Sequence, residues 1–181
     1  TTEIYTLSLH DALPICFCAD GLSLIFALVA CFLWMFATSY NIGYMRSLNE
    51  HAQTRYYFCF AVAIFGAVGV AFSGTVVTLY LFYEVITVFT YPLVAHHQDE
   101  EGYKGARKYL VYLMGTSKLF LLPAMILTYV LCGTLDFNLG DISRGMFPPG
   151  ADPKLVTITY FLFLCGLAKA ALMPFHNWLP S

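Results

Sequence analysis

Long apolar runs without charge alternate along this chain with short polar stretches. Five runs stand out, at about residues 22–41, 56–72, 75–95, 109–132 and 155–173. A helix rising 1.5 Å per residue needs ~20 residues to cross a hydrocarbon core about 30 Å thick, and each run approaches that length. The runs are apolar all round instead of alternating, which argues against a transmembrane β-barrel. The pattern predicts an all-α, polytopic transmembrane bundle of about five spans. Tyr40, Tyr44, Tyr56, Tyr57 and Trp178 lie at run ends, where interfacial anchors belong. Ser73 and Gly74 predict a tight turn between the second and third spans. Residues 96–108 and 133–154 read as connections outside the membrane, the second rich in Gly and Pro.

Composition sharpens this picture. Hydrophobic residues make up 59% of the 181, and charged residues only 11%, against about 25% in soluble domains. Mean hydropathy is +0.69. An ordinary soluble domain and a disordered chain are both excluded. A net charge of −2 without a basic patch excludes a nucleic-acid binder. The first partner is therefore the lipid bilayer. Arg46, Arg55, Lys104, Arg107 and Lys108 fall in connections on one side, and only Arg144 and Lys154 on the other. The positive-inside rule makes the first side cytoplasmic.

Residues 1–15, TTEIYTLSLHDALPI, do not match the rest of the chain. They read, residue for residue, as the in-frame translation of a common sequencing adapter. The expectation is that they form no domain, that His10 and Asp11 are no site, and that a partial transmembrane domain occupies residues 16–181. Both ends of the native protein are expected to lie beyond this stretch.

Cofactor chemistry is not signalled. Cys31, Cys59, Cys132 and Cys165 sit in or at the ends of spans, where Cys behaves as a small apolar residue. No C-x-x-C pair supports an iron–sulfur or zinc site. No Gly-rich phosphate loop and no nicotinamide or flavin fingerprint is present. His96, His97 and His176 fall at span ends, which does not suit a two-haem cytochrome. The expectation is no cofactor and no metal.

Three ionisable residues do lie at membrane depth. Glu84 sits mid-span in LYLFYEVITVF, where a charge costs at least ~2.5–3.5 kcal/mol to insert. Lys118 lies in the next span, roughly 14 Å from its cytoplasmic end against roughly 16 Å for Glu84. The matched depths predict that the two pair. Lys169 lies in GLAKAALMPFHNWLP, where Pro174 and Pro180 predict a break or kink in the helix. Ionisable residues beside a broken helix mark ion sites in many transporters. One carboxylate and two amines, without a redox centre, are the equipment of a proton path, because desolvated groups of both kinds can exchange protons near neutral pH.

The strings CADGLSLIFALV, LFYEVITVFTYPLV and KAALMPFHNWLP resemble the antiporter-like, proton-conducting membrane subunits. These are found in respiratory complex I (NADH:quinone oxidoreductase), membrane-bound hydrogenases and the Mrp sodium/proton antiporters. The resemblance spans residues 20–181 and is most specific at Lys169, Pro174, His176, Trp178, Leu179 and Pro180. It implies a fragment of a fold of about fourteen helices with two inverted five-helix repeats, the spans here being its third to seventh helices. It places the family's key Glu on Glu84 and the Lys of its broken helix on Lys169. Lys118 is a departure from the family pattern. The connection HHQDEEGYKGARKYL and the string LFYEVITVFTYPLV look more like the Mrp D-type subunit and its unclassified relatives than like the three complex I subunits. The implied function is proton, or sodium/proton, translocation by one subunit of a multisubunit antiporter in the cell (inner) membrane. Alternatives are a pumping subunit of complex I or a hydrogenase, and a non-conducting structural subunit. Any enzyme activity would belong to the assembly.

Overall fold

In the computed structural model, residues 4–7, 15–137, 145–167 and 169 are described. Among the described residues six α-helices dominate: α1 (Gly21–Ser47), α2 (Gln53–Ala71), α3 (Val76–Val94), α4 (Glu100–Thr116), α5 (Leu122–Cys132) and α6 (Pro153–Gly166). A π-helical turn, Ser117–Leu121, joins α4 to α5 without interruption. The continuous rod Glu100–Cys132 and helices α1, α2 and α3 are each long and apolar enough to cross a membrane. α6 is a shorter apolar helix. The all-α transmembrane bundle expected from the apolar runs is the architecture found.

Local chemistry sets the helix starts. Asp20 caps α1: its Oδ1 accepts from the Ser23 amide at 2.7 Å, and the Ser23 hydroxyl oxygen accepts from the Asp20 amide at 2.9 Å, a reciprocal box that satisfies two orphan donors. Thr75 caps α3 through the Thr78 amide. Asp99 caps α4 through the Gly102 amide. This last cap moves a boundary. Residues 96–108 were expected as a connection, yet the helix begins at Glu100. Glu100 and Glu101 in the first turn suit the positive end of the helix dipole, and a polar helical turn outside the bilayer leaves no trace in hydropathy.

The interior mixes hydroxyl residues with apolar ones such as Leu113 and Leu121, and the outside is apolar. Buried positions include Ser73, Thr75, Thr78, Thr87, Thr116, Ser117, Thr128 and Thr159. Leu22, Phe26, Phe36, Phe65, Leu119 and Val130 are exposed. Lipid supplies no hydrophobic drive between helices, so close packing of small residues and hydroxyl hydrogen bonds hold them together. Thr87, Thr116, Thr128 and Thr159 each donate to the carbonyl four residues earlier, so none is left unsatisfied in the apolar interior. α2 presents Gly66 and Gly69 to α3. A Cβ on Gly66 would lie 2.8 Å from Ile86 Cγ1, and one on Gly69 only 2.3 Å from the Phe82 ring.

One end of the bundle is laced by backbone. Ser73 and Gly74 make the expected tight turn between α2 and α3. β2 (Ile15–Cys18) lies against it, with the Cys18 amide donating to Phe72 and the Gly74 amide to Cys16, both at 2.8 Å. The segment after α5 returns to the same turn through a bridge between Thr75 and Asp136. β2 also pairs antiparallel with β1 (Ile4–Leu7). Residues 1–15 were expected to form no domain, and one four-residue strand does not make one. Strand pairing uses only backbone N–H and C=O groups, which almost any extended segment can offer.

Candidate functional site

Three segments meet around the middle of α3. The first is α3 itself, which carries Tyr83, buried, and Glu84, half-buried. The second is the π-turn. Pro123 has no N–H, and its ring would strike the carbonyl of Leu119 in an α-helix. Just ahead of it the chain widens, and the Leu122 amide bonds the Ser117 carbonyl five residues back. π-turns inside α-helices occur frequently at functional sites. Here the turn carries Ser117, fully buried, whose hydroxyl donates to the Glu84 carboxylate Oε1 and also reaches the Met114 carbonyl.

The third segment is the end of α6. The helix stops at Gly166, eight residues before Pro174, and the break expected at Pro174 lies outside the described residues. Gly166 lies against the π-turn so closely that a Cβ would stand 2.7 Å from Leu121 Cβ and 2.8 Å from its backbone nitrogen. The Tyr83 hydroxyl fills the break. It donates to the Gly166 carbonyl at 3.3 Å and accepts from the Lys169 amide at 3.2 Å. A broken helix inside a membrane is tolerated only where such partners re-satisfy its backbone. Tyr83 supplies an acceptor and a donor with one oxygen.

Lys169 is brought to the same place. Its Nζ donates to the Tyr83 carbonyl and sits 3.7 Å from the centroid of the Tyr83 ring. The ammonium thus lies on the residue next to Glu84, although the two side chains make no ion pair within 4.0 Å. Lys118 is not brought in. It points outward from the π-turn, exposed, while its neighbour Ser117 takes the contact with Glu84. The expected Glu84–Lys118 pair is absent: the depths match but the helix faces do not. Pro174, His176, Trp178, Leu179 and Pro180 lie outside the described residues.

Sequence reasoning missed Tyr83 and Ser117. Each stands beside a residue it did single out, Glu84 and Lys118, but an aromatic and a hydroxyl in apolar runs give no signal of their own. It also missed a second cluster. Glu50 and His51, in the α1–α2 turn, meet His96 and His97, just past the end of α3. Burial, then the neighbouring His51, pushes the His96 imidazole below the usual histidine range, with Glu50 opposing.

Comparison with known proteins bears on the family of the chain. Residues 73–181 match the family model described as NADH:quinone oxidoreductase/Mrp antiporter, TM. The antiporter subunit named mnhA2 in Staphylococcus aureus strain JH9 is 27% identical, over 89% of this chain and 20% of its own length. The mnhA2 of strain USA300 is likewise 27% identical, with the same coverage. This chain thus spans about a fifth of the length of those relatives. In fold it is similar to a chain of an archaeal respiratory membrane complex, the membrane-bound sulfane sulfur reductase, at a TM-score of 0.79 and 24% identity over 99% of this chain and 36% of the other. Respiratory complex I from Thermus thermophilus gives 0.71 and 22%, over 98% of this chain and 36% of its own. The family match covers more than half of a multi-pass membrane chain, and the chain belongs to the NADH:quinone oxidoreductase/Mrp antiporter transmembrane family.

Proposed function

We propose that this chain is part of a proton-conducting subunit of a multisubunit cation/proton antiporter in the cell membrane. Protons are the moving ion, and sodium is the candidate counter-ion. Glu84 and Lys169 carry the proton steps. One observation bears most of the weight: Lys169, just past the α6 break, places its ammonium on the backbone carbonyl next to Glu84. Two exchangeable groups on different helices then stand close enough for the charge on one to bias the other, without a permanent ion pair to fix both. Ser117 and Tyr83 act as positioning residues, Ser117 by holding the carboxylate and Tyr83 by holding the break open. Residues 16–181 form the membrane domain, and residues 1–15 are foreign to it.

Lys118 takes a different role from the one its depth suggested. Exposed on the π-turn, it faces lipid, a neighbouring subunit or a part of the protein beyond this stretch. The redox-driven setting is the second reading, favoured by the fold shared with chains of two respiratory complexes. The antiporter reading is preferred because the curated relatives bear antiporter names. Those names are of the A2 type, while the D-type likeness rests on the strings HHQDEEGYKGARKYL and LFYEVITVFTYPLV.

The test is proton-coupled transport in inverted vesicles containing the full-length protein and its partner subunits, with membrane protein amount matched. Glu84→Gln keeps shape and loses the exchangeable proton, and transport should fall to near background. Lys169→Met should do the same. Lys169→Arg should only partly rescue, because a guanidinium cannot release its proton. Lys118→Met should leave the pH profile of transport unchanged. Normal transport by Glu84→Gln at normal amount would sink the assignment.

A further inference from the structure

The α1–α2 turn and the end of α3 meet away from the Glu84 site, at the end of the bundle that the positive-inside count makes cytoplasmic. Three side-chain atoms from these two turns converge: a Glu50 carboxylate oxygen, His51 Nδ1 and a His96 ring nitrogen, all within 4.8 Å of one another. Glu50 Oε2 stands 3.6 Å from His96 Nε2 and 3.9 Å from His51 Nδ1. His97 Nδ1 approaches the same oxygen at 3.9 Å. These separations are too long for direct hydrogen bonds. They are close to the spacing between ligand atoms around one small ion. Bonds of about 2.0–2.2 Å in a tetrahedron put neighbouring ligand atoms roughly 3.4 Å apart.

His96 supplies the second observation. It is 8% exposed, and both of its ring nitrogens are buried without a hydrogen-bond partner. Buried polar atoms are nearly always satisfied, and an exception calls for an explanation such as an ion. The backbone around the cluster is also held in place. Arg55 donates to the His96 carbonyl at 3.2 Å, and Gln53 Nε2 to the Glu50 carbonyl at 3.1 Å. Among the described residues, the three non-glycine positions with positive φ are Asn49, Ala52 and Gln98. They flank the Glu50–His51 and His96–His97 pairs. That conformation is costly for Ala and Gln, and here it turns both pairs toward each other.

We infer that Glu50, His51 and His96 form a binding site for a divalent transition-metal ion of the zinc class, clasping the α1–α2 turn to the end of α3. Two imidazoles and a carboxylate suit zinc and leave a fourth position for water or His97. Calcium and magnesium, which prefer all-oxygen shells, do not fit. Arg55 places a positive charge nearby, but its guanidinium is turned to the His96 carbonyl, not to the ring nitrogens.

The experiment uses the full-length protein in its membrane complex, stripped with a chelator and titrated with Zn²⁺ alone against a chromophoric chelator. Wild type should bind one more tight Zn²⁺ per chain than His51→Ala/His96→Ala. Glu50→Gln should weaken that same site more than about tenfold, the least that losing even an outer-shell partner commonly costs. Equal stoichiometry and affinity in wild type and the double variant would overturn the site. Should the double variant fail to assemble, the wild type still decides. Co²⁺ bound there should give the intense visible bands of tetrahedral nitrogen and oxygen ligation, and their absence at saturation would refute the proposal.

Discussion

Gly166→Ala should separate the three segments of the site with the smallest chemical change available. The added Cβ would stand 2.7 Å from Leu121 Cβ, 2.8 Å from its nitrogen and 2.9 Å from its Cα. Two of those atoms are backbone, so no side chain can swing aside. Carbon contacts are comfortable at about 3.5–4.0 Å, which forces α6 back from the π-turn by roughly 0.8 Å or more. Overpacking of this kind costs about 1–3 kcal/mol. The retreat would also stretch the Tyr83–Gly166 hydrogen bond, now 3.3 Å, past its useful range, adding about 0.5–1.5 kcal/mol. The expected loss is then about 1.5–4.5 kcal/mol, with Lys169 displaced from Tyr83. The assay is unfolding of the full-length protein in mixed micelles, beside transport in vesicles. Gly43→Ala is the control: a Cβ there meets nothing within 4 Å, and Ala is the better helix former. If Gly166→Ala proves as stable and as active as Gly43→Ala, the close approach of α6 to the π-turn does not exist.

The same micelle assay tests two other features. Tyr83→Phe keeps the ring under the Lys169 ammonium but orphans the Gly166 carbonyl and the Lys169 amide. The loss should lie between ~0.6 kcal/mol per bond, the membrane average, and ~1–3 kcal/mol per orphaned group; unchanged stability together with unchanged transport would show that the helix break does not depend on the hydroxyl. Asp20→Ala should cost about 0.5–2 kcal/mol through loss of the α1 cap. The hydrogen bond from the Ser23 side chain, then that from its amide, holds the Asp20 carboxyl below its ordinary value of 3.8. A lowered folded pKa means fewer bound protons in the fold, so the contribution is complete above the unfolded value and disappears as pH falls through the folded one. Asp20→Asn keeps a cap and should lose that acid-side slope; an identical slope in wild type and Asp20→Asn would place the pH dependence elsewhere.

The spans were legible because insertion cost is written residue by residue in hydropathy. The edges were less so. α1 continues to Ser47 and α4 begins at Glu100, since a helix that leaves the bilayer keeps its hydrogen bonds while its side chains turn polar. Depth was legible too: counting residues placed Glu84 and Lys118 at one level. Helix face was not. One residue along a helix turns the side chain by about 100°, enough to put Ser117 on Glu84 and Lys118 outside. The break was read from Pro174, the residue that cannot continue a helix. α6 ends at Gly166, where the neighbouring π-turn comes too close for a side chain, while Pro174 lies outside the described residues. The Glu50–His51–His96 cluster joins residues more than forty positions apart, and only the fold brings them together.

The site is a closed loop of contacts, and this bears on how charge movement could be coupled to shape. Glu84 on α3 touches the π-turn through Ser117. The π-turn touches α6 through Leu121 and Gly166. The break after α6 returns to α3 through both ends of Tyr83, its hydroxyl and its carbonyl. Each link is short-range, and the Thr90–Tyr109 hydrogen bond and buried Leu113 and Leu121 help to hold these segments in register. Protonating Glu84 would change the bond it accepts from Ser117, and releasing a proton from Lys169 would weaken its hold on the Tyr83 carbonyl. Either event acts on one link of the loop, and the other two links must adjust. A residue such as Lys118, attached to the loop only through backbone, would feel the same movement without taking part in the chemistry.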